Sequence, residues 1–86
     1  MPIVKDPITI PELVGVIEQL LNTEPGLLTA TTLLADVPGW DSMGVLLLMA
    51  ELDERFGITL GETTLASLHD TSDIVAVVRN AGLLTE

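Results

Sequence analysis

The stretch GWDSMGVLLLMAELDERFG, residues 39–57, decides the fold class of this chain. Its apolar residues recur at spacings of three and four, which predicts a helix rather than a strand. We expect the helix to begin at Asp41 or Ser42, because their side chains can accept hydrogen bonds from the free N–H groups of a first turn. It should run to Phe56, where Gly57 can adopt the left-handed conformation that ends many helices.

The composition indicates a single small domain with an aliphatic core. The chain has 86 residues, of which 48% are hydrophobic but only 2% aromatic. A chain of this length supports one modest core, so we expect one domain over residues 1–86, with the packed part at about residues 8–82. There is no cysteine, which excludes disulfides and thiolate metal sites.

The charge of the chain restricts its partners. Thirteen acidic residues against three basic ones give a net charge of −10, which repels nucleic acids and anionic lipid surfaces and favours a basic protein partner. The longest uncharged apolar run, residues 43–50, falls far short of the ~20 residues that cross a bilayer. The N-terminal residues also lack the layout of a signal peptide. We therefore expect a cytoplasmic monomer with no nucleic-acid or membrane partner.

Three further helices are predicted. The sequence TIPE at residues 9–12 is a capping box, in which a threonine and a glutamate exchange hydrogen bonds around the first turn. The helix that it opens should end near Asn22. A short helix is expected around residues 63–68, and TSD at residues 71–73 offers caps to a last helix with Gly82 beyond its end. The predicted fold class is all-α, a small, mostly antiparallel four-helix bundle with three longer helices and one short one.

Residues 23–41 are expected to form a long crossover loop between the first two helices, with at most one turn of helix inside it. A loop of this length without structure of its own is uncommon in a compact domain. Apolar side chains should therefore pin it to the core, and the candidates are Leu27, Leu28, Leu33, Leu34 and Val37. The acids Glu12, Glu18 and Glu24 are interpreted as a solvated surface.

The second helix carries more apolar side chains than one buried stripe needs. Spacings of three and four assign one set to the core, namely Val45, Leu48, Met49, Leu52 and Phe56. A second set falls on the neighbouring arc and should face outward, namely Met43, Leu46, Leu47 and Ala50. With Asp53 and Glu54 near its lower end, this arc has the composition of a docking surface for a basic, partly apolar partner. The alternative is that the whole helix is buried.

The sequence lacks the groups that nucleophilic catalysis by Ser42 requires. A hydrolytic serine needs a base and a residue that orients it, but the only histidine is His69 in the short third segment. The G-x-S-x-G pattern fails as well, because Gly39 precedes Ser42 by three residues instead of two. No calcium loop or glycine-rich phosphate loop is present. We predict no catalytic residue and no metal site, and interpret His69 as a surface or capping residue.

The tripeptide Asp41-Ser42-Met43 opens an apolar helix that closes with ELDERFGI at residues 51–58. This arrangement resembles the acyl carrier proteins, whose signature is Asp-Ser-Leu followed by a helix that ends in an acidic stretch and Phe-Gly-Ile. The similarity runs over residues 34–78. It implies that a phosphopantetheinyl transferase attaches 4′-phosphopantetheine to Ser42, and that the thiol of this arm carries an acyl or aminoacyl group as a thioester.

The expected position of Ser42 suits such a group physically. Free N–H groups and the helix dipole favour negative charge at the start of a helix, which accommodates a phosphodiester there. Asp41 can both cap the helix and present a carboxylate to the transferase. Ser42 needs no base of its own, because the transferase and its metal ion would activate the hydroxyl.

The resemblance places contacts with partner enzymes at Met43, Leu46, Leu47, Ala50, Asp53 and Glu54. Gly44 and Leu47 stand where fatty-acid carriers usually have acids, and Arg55 interrupts the closing acidic run. Docking should therefore rely on apolar contact more than on charge, which favours a discrete carrier of a specialised polyketide, nonribosomal or related pathway. The expected partners are enzymes that load and process the cargo, such as a ligase, an acyltransferase or a ketosynthase.

Two alternatives remain open. The form Asp-Ser-Met-Gly is also similar to the D-alanyl carriers of cell-wall teichoic acid synthesis. The other alternative belongs to a different class of protein. It is a carrier-like helical binding module, whose apolar helix docks a partner without any prosthetic group.

Overall fold

The computed structural model of the protein describes residues 7–85, so the outer limits of the predicted domain lie outside the described range. Its helices are α1 (Ile10–Leu20), α2 (Ser42–Phe56), α3 (Glu62–Ala66) and α4 (Thr71–Asn80), with a 3-10 turn at Leu34–Asp36. Two short strands complete the set, β1 (Ile8–Thr9) and β2 (Leu84–Thr85). The prediction of three longer helices and one short one is confirmed.

The two strands form a small parallel sheet that the all-α prediction missed. Ile8 pairs with Leu84 and Thr9 with Thr85, and the Ile8 N–H donates to the Leu83 carbonyl oxygen at 2.9 Å. Such short strands cannot show the alternation of apolar and polar side chains that marks a strand in a sequence. The all-α class is therefore corrected to a helical bundle with one small sheet, which joins the chain before α1 to the chain after α4.

The helix ends follow local sequence signals. Thr9 and Glu12 form the predicted capping box, because the Glu12 N–H donates to Thr9 Oγ1 at 3.3 Å and the Thr9 N–H donates to Glu12 Oε1 at 3.2 Å. α1 ends at Leu20, slightly before the predicted end near Asn22. Asn22 itself takes the left-handed conformation, with φ 55°. α2 has the predicted bounds, and Gly57 closes it with φ 68°.

The core is aliphatic apart from Phe56, as the composition predicts. Most of the deeply buried side chains belong to α1, α2 and α4. The apolar ones in these three helices are Leu13, Ile17, Leu48, Leu52, Phe56, Ile74 and Val78. Full burial of a side chain of this size stabilises a fold by about 1.5–3 kcal/mol. The stripe of α2 residues in this set therefore fixes the helix to the rest of the domain from Leu48 to Phe56.

Fewer side chains than expected pin the crossover between α1 and α2. Leu28, Leu34 and Val37 are buried, but Leu27 and Leu33 are 63% and 51% exposed. The predicted anchoring by Leu27 and Leu33 is wrong.

Backbone pairing holds the crossover where Leu33 does not. The Leu34 N–H donates to the His69 carbonyl oxygen at 2.9 Å, and the Thr71 N–H donates to the Thr32 carbonyl oxygen at 3.1 Å. Leu33 is extended and its backbone bridges to Asp70, whereas Leu34 begins the 3-10 turn with its side chain in the core. These bonds tie the crossover to the start of α4.

Glu18 is buried, although its place on the polar side of α1 predicted a solvated side chain. It is only 6% exposed, and its Oε2 accepts a hydrogen bond from the Leu28 N–H at 3.1 Å. The crossover folds back over this carboxylate and supplies the donor that a buried acceptor needs. The interpretation of Glu18 as a surface acid is therefore wrong, whereas Glu12 and Glu24 are exposed as expected.

Candidate attachment site

The turn before α2 places Ser42 at the first residue of the helix. The Trp40 N–H donates to the Val37 carbonyl oxygen at 2.9 Å, and the Trp40 side chain packs half-buried against the core. Asp41 is extended and caps the helix, since its Oδ1 accepts a hydrogen bond from the Gly44 N–H at 2.9 Å. Ser42 follows directly, with an exposed side chain.

Two backbone N–H groups stay free at this helix start. Asp41 uses its side chain for Gly44 and its carbonyl oxygen for the Val45 N–H at 2.9 Å. The N–H groups of Ser42 and Met43 make no hydrogen bond within the described residues. Free N–H groups at a helix start attract an anionic group, so a phosphate carried by Ser42 Oγ meets a favourable field.

The hydroxyl of Ser42 differs from those of the other serines. Ser67 Oγ donates to the Thr64 carbonyl oxygen at 2.7 Å, and Ser72 Oγ donates to Asp70 Oδ1 at 2.6 Å. Ser42 Oγ makes no hydrogen bond to any residue between 7 and 85. Ser42 therefore offers an exposed hydroxyl that no internal bond occupies, a distinction that the sequence motif does not provide.

Glycines allow the start of α2 to pack directly on the end of α1. A Cβ atom on Gly44 would collide with the Gly39 carbonyl oxygen and would lie 2.9 Å from Leu21 Cδ2. A Cβ atom on Gly39 would lie 2.7 Å from the carbonyl carbon of Leu21. Most of these obstacles are backbone atoms, so neither glycine can gain a side chain unless the chain around it moves.

This packing gives Gly44 a structural role, because the residue is buried and faces the Gly39 turn. That docking relies on apolar contact more than on charge stays a prediction. The steric demand explains the glycine without reference to a partner. Leu47, the other departure from the fatty-acid carriers, is 43% exposed and remains available for contact.

A groove of about 360 Å³ opens beside Ser42, where α2 faces the end of α1. We call it the Gly39 groove, and its lining includes Leu20, Leu21, Asn22, Gly39, Met43 and Leu47. Asp41 and Met43, the neighbours of Ser42, both line it, so a group attached to Ser42 begins at its rim. A larger groove of about 800 Å³ lies between α1 and the last turns of α2 and includes no residue of the Ser42 turn.

The outer arc of α2 is exposed. Met43 and Leu46 are 63% and 60% exposed, and Ala50 is exposed as well. The alternative in which the whole helix is buried is therefore wrong, and burial is confined to the stripe on the other side, where Val45 and Met49 are half-buried. Contact between this arc and a partner enzyme remains a prediction.

Acidic side chains stand near the C-terminal end of this arc. Asp53 and Glu54 are exposed. Arg55, which interrupts the acidic run, reaches back along the helix, and its Nε lies 2.9 Å from Glu51 Oε2. An exposed pair of this kind contributes about 0.3–0.5 kcal/mol. Among residues 7–85, Arg55 forms its ion pair with Glu51 and not with Asp53 or Glu54.

His69 lies just before α4 and acts through its backbone. Its N–H donates to Asp73 Oδ2 at 2.8 Å, and its side chain is exposed. Among residues 7–85 no group of three His, Asp or Glu side chains could hold a metal ion. No helix in that range is long and apolar enough to cross a membrane.

Comparison with known proteins identifies the family. The family model described as the phosphopantetheine attachment site matches residues 11–78, which include Ser42 and all of α2. The chain therefore belongs to the family of carrier proteins that bear 4′-phosphopantetheine.

A curated relative makes the class more specific. Acyl carrier protein MbtL of Mycolicibacterium paratuberculosis (strain ATCC BAA-968 / K-10) is 33% identical to this chain over 67 residues, which cover 78% of this chain and 75% of that protein. No solved structure gives a significant match. The resemblance to the acyl carrier proteins is confirmed, and it is a family of carriers that work with biosynthetic enzymes and are not themselves catalysts.

The residues around Ser42 fit the prosthetic group of this family. The Ser42 hydroxyl is exposed and free of internal bonds, the N–H groups of Ser42 and Met43 suit the phosphate, and Gly39 and Gly44 add no side chain to the groove. When attached, the group supplies a terminal thiol that holds cargo as a thioester. Because the chain has no cysteine, no side-chain thiol competes with it by exchange.

Proposed function

We propose that Ser42 bears the 4′-phosphopantetheine arm, and that the protein carries acyl or aminoacyl thioesters to partner enzymes of a specialised polyketide, nonribosomal or related pathway. The observation that carries the proposal is the free, exposed hydroxyl of Ser42 at the capped start of α2. Asp41 supports it, because Asp41 Oδ1 holds the Gly44 N–H at 2.9 Å while the same carboxylate lies at the surface, where a transferase can reach it.

Loading of Ser42 can be tested by intact mass. The protein is incubated with coenzyme A and a broad-specificity phosphopantetheinyl transferase. Wild type should gain one phosphopantetheine, and Ser42→Ala should gain none. Ser72→Ala is the control, because Ser72 is an exposed serine in the first turn of α4, two residues after the capping Asp70; this variant should be loaded like wild type.

Two results of that experiment would contradict the proposal, and each would point to a different explanation. If wild type gains nothing under conditions that load a known carrier, the protein is a binding module without a prosthetic group. If Ser42→Ala is still loaded, the attachment residue is another one.

The outer arc of α2 is proposed as the surface that partner enzymes contact, through Met43, Leu46, Leu47, Ala50, Asp53 and Glu54. Leu47→Glu or Met43→Asp should lower the kcat/KM with which the transferase loads phosphopantetheine by about tenfold, or ~1.4 kcal/mol. The reason is that a charge then has to be desolvated at an apolar contact. Gln19→Glu adds a charge at an exposed position of α1 and should change kcat/KM little. Loss of helicity by circular dichroism in the α2 variants would show that these side chains support the fold instead.

The D-alanyl alternative is separated by the cargo. The loaded protein is offered to a D-alanine-activating ligase and to ligases that activate acyl and other aminoacyl groups, and the thioester product is measured by mass. Selective loading with D-alanine would favour the teichoic acid role over the proposed one.

A further inference from the structure

The Gly39 groove has two walls of different chemistry. Met43 and Leu47 lie one turn apart on α2 and form an apolar wall. The opposite wall is the end of α1, where Leu21 is followed by Asn22. Asn22 is exposed, takes φ 55°, and its carboxamide makes no hydrogen bond within the described residues.

Close packing of glycines holds these walls together. Gly39 and Gly44 line the groove and lie in direct contact with each other and with Leu21. Any side chain at either position would push the start of α2 away from α1. The shape of the groove therefore depends on the close packing at the turn that carries Ser42, and its volume is about 360 Å³.

We propose that the Gly39 groove holds the pantetheine part of the arm attached to Ser42, an inference that rests on the proposed function. Beyond its phosphate, the arm is a narrow, uncharged chain with a dimethyl-substituted carbon followed by two amides. Met43 and Leu47 present apolar surface to the two methyl groups. The Asn22 carboxamide offers a donor and an acceptor to the amides. The phosphate stays at the helix start, beside the free N–H groups of Ser42 and Met43.

Charge and attachment favour this occupant over a free ligand. The lining contains one acid, Asp41, and no basic residue, so beyond the helix start it offers no cation to a charged ligand, whereas an uncharged chain needs none. A chain tethered beside its own site has an effective concentration in the millimolar range. Contacts too weak to bind a free molecule therefore suffice to hold the arm.

The proposal links the arm to docking through Leu47. This residue lines the groove and is also part of the exposed arc of α2. The resting arm and the proposed docking surface therefore share the Leu47 side chain.

Nuclear magnetic resonance tests the proposal on the unloaded and loaded forms of the isotope-labelled protein, with an unlabelled arm and complete loading shown by intact mass. Loading should shift the amide signals of Leu20, Leu21 and Asn22, which are remote from Ser42 in sequence. Filtered experiments should give contacts between the arm methyl groups and the Leu47 methyl groups. Leu47→Ala should remove most of these shifts. Leu46→Ala is the matched control, because Leu46 is an exposed neighbour of the same residue type that does not line the groove, and it should leave the shifts unchanged.

The outcomes separate this inference from the function on which it rests. A protein that is not loaded at all contradicts the proposed function. A protein that is loaded, but whose shifts are confined to residues 41–44, contradicts the resting place of the arm. Shifts at the α1 wall that need an added partner enzyme would assign the groove to docking and overturn the proposal as well.

Discussion

The starts of α2 and α4 are built from the same cap but differ in the residues behind it. Both begin after an extended aspartate whose side chain accepts the N–H three residues on, at 2.9 Å for Asp41 and Gly44 and at 3.1 Å for Asp70 and Asp73. At α4, Asp73 completes a capping box and accepts from the Asp70 N–H at 3.2 Å. At α2 the equivalent position is Gly44, which has no side chain to accept a hydrogen bond from the Asp41 N–H.

This difference separates stability from function. The start of α4 holds two carboxylates in a closed set of hydrogen bonds, and its serine, Ser72, is bonded to Asp70. The start of α2 has a single carboxylate, two free N–H groups and an unbonded serine. A capping box suits a helix start that only has to be stable, whereas an open start can receive a phosphate. α1, which has the Thr9 and Glu12 box, follows the α4 pattern.

The largest expected effect comes from adding a side chain at Gly44, where the start of α2 packs directly on the Gly39 turn. Gly44→Ala should destabilise the fold by about 1–2 kcal/mol, since overpacking costs about 1–3 kcal/mol and the better helix propensity of alanine returns up to ~1 kcal/mol. Gly15→Ala is the control in α1, where a new Cβ meets nothing within 4 Å, and it should stabilise by up to ~1 kcal/mol. Urea unfolding measures both, and equal stabilisation by the two variants would show that the contact with Gly39 is not restrictive.

Removal of the capping aspartate should lower the free energy of unfolding by more at α4 than at α2. Asp70→Ala removes the acceptor of both the Asp73 N–H and the Ser72 hydroxyl, and should cost about 1–2 kcal/mol. Asp41→Ala removes the acceptor of one N–H and should cost about 0.5–1 kcal/mol. The free energies of unfolding from urea titrations decide this, and a larger loss in Asp41→Ala would reverse the assigned roles of the two helix starts.

The smallest expected effect is a pH dependence of the stability of the fold, which comes from the carboxyl groups of the capping boxes. The backbone N–H groups of His69 and Asp70 lower the pKa of the Asp73 carboxyl from its ordinary value. The side chain of Thr9, and then its N–H, lowers the pKa of Glu12. A carboxyl whose pKa is lowered by folding stabilises the fold above its unfolded pKa of about 4, and this contribution is lost as the pH falls through the folded value.

Thermal unfolding at several values from about pH 6 to about pH 3 tests this dependence in Asp73→Asn. The variant should be less stable than wild type at the upper end, and the difference should shrink as the pH falls. Asp53→Asn removes an exposed carboxylate outside the capping boxes and serves as the control. A gap between wild type and Asp73→Asn that stays constant across the range would speak against the assigned cause.

Local signals predicted the helix ends because capping depends on residues within one turn. The box at residues 9–12 and the end of α2 at Gly57 are examples. The cap of α4 is Asp70, one position before the predicted TSD. Several polar residues stand side by side there, and the choice among them depends on the pairing of Thr71 with Thr32 in the crossover, which no local pattern contains.

Contacts between distant residues account for the other errors. Glu18 is buried only because Leu28 folds back over it, and β1 exists only because β2 lies beside it. The motif around Ser42 could be predicted from sequence. The reason for Gly44 could not, because it lies in the approach of Gly39 and Leu21.

The position of Trp40 gives the molecule an optical property. It is the chain's single tryptophan, and there is no tyrosine. Its half-buried indole ring sits directly before the Asp41 cap, so the intrinsic fluorescence of the protein comes from the turn that holds Ser42. Attachment of a group, contact with a partner or melting of the first turn of α2 changes the surroundings of that one ring. Emission wavelength and quenching can therefore follow the site in real time, without an added label.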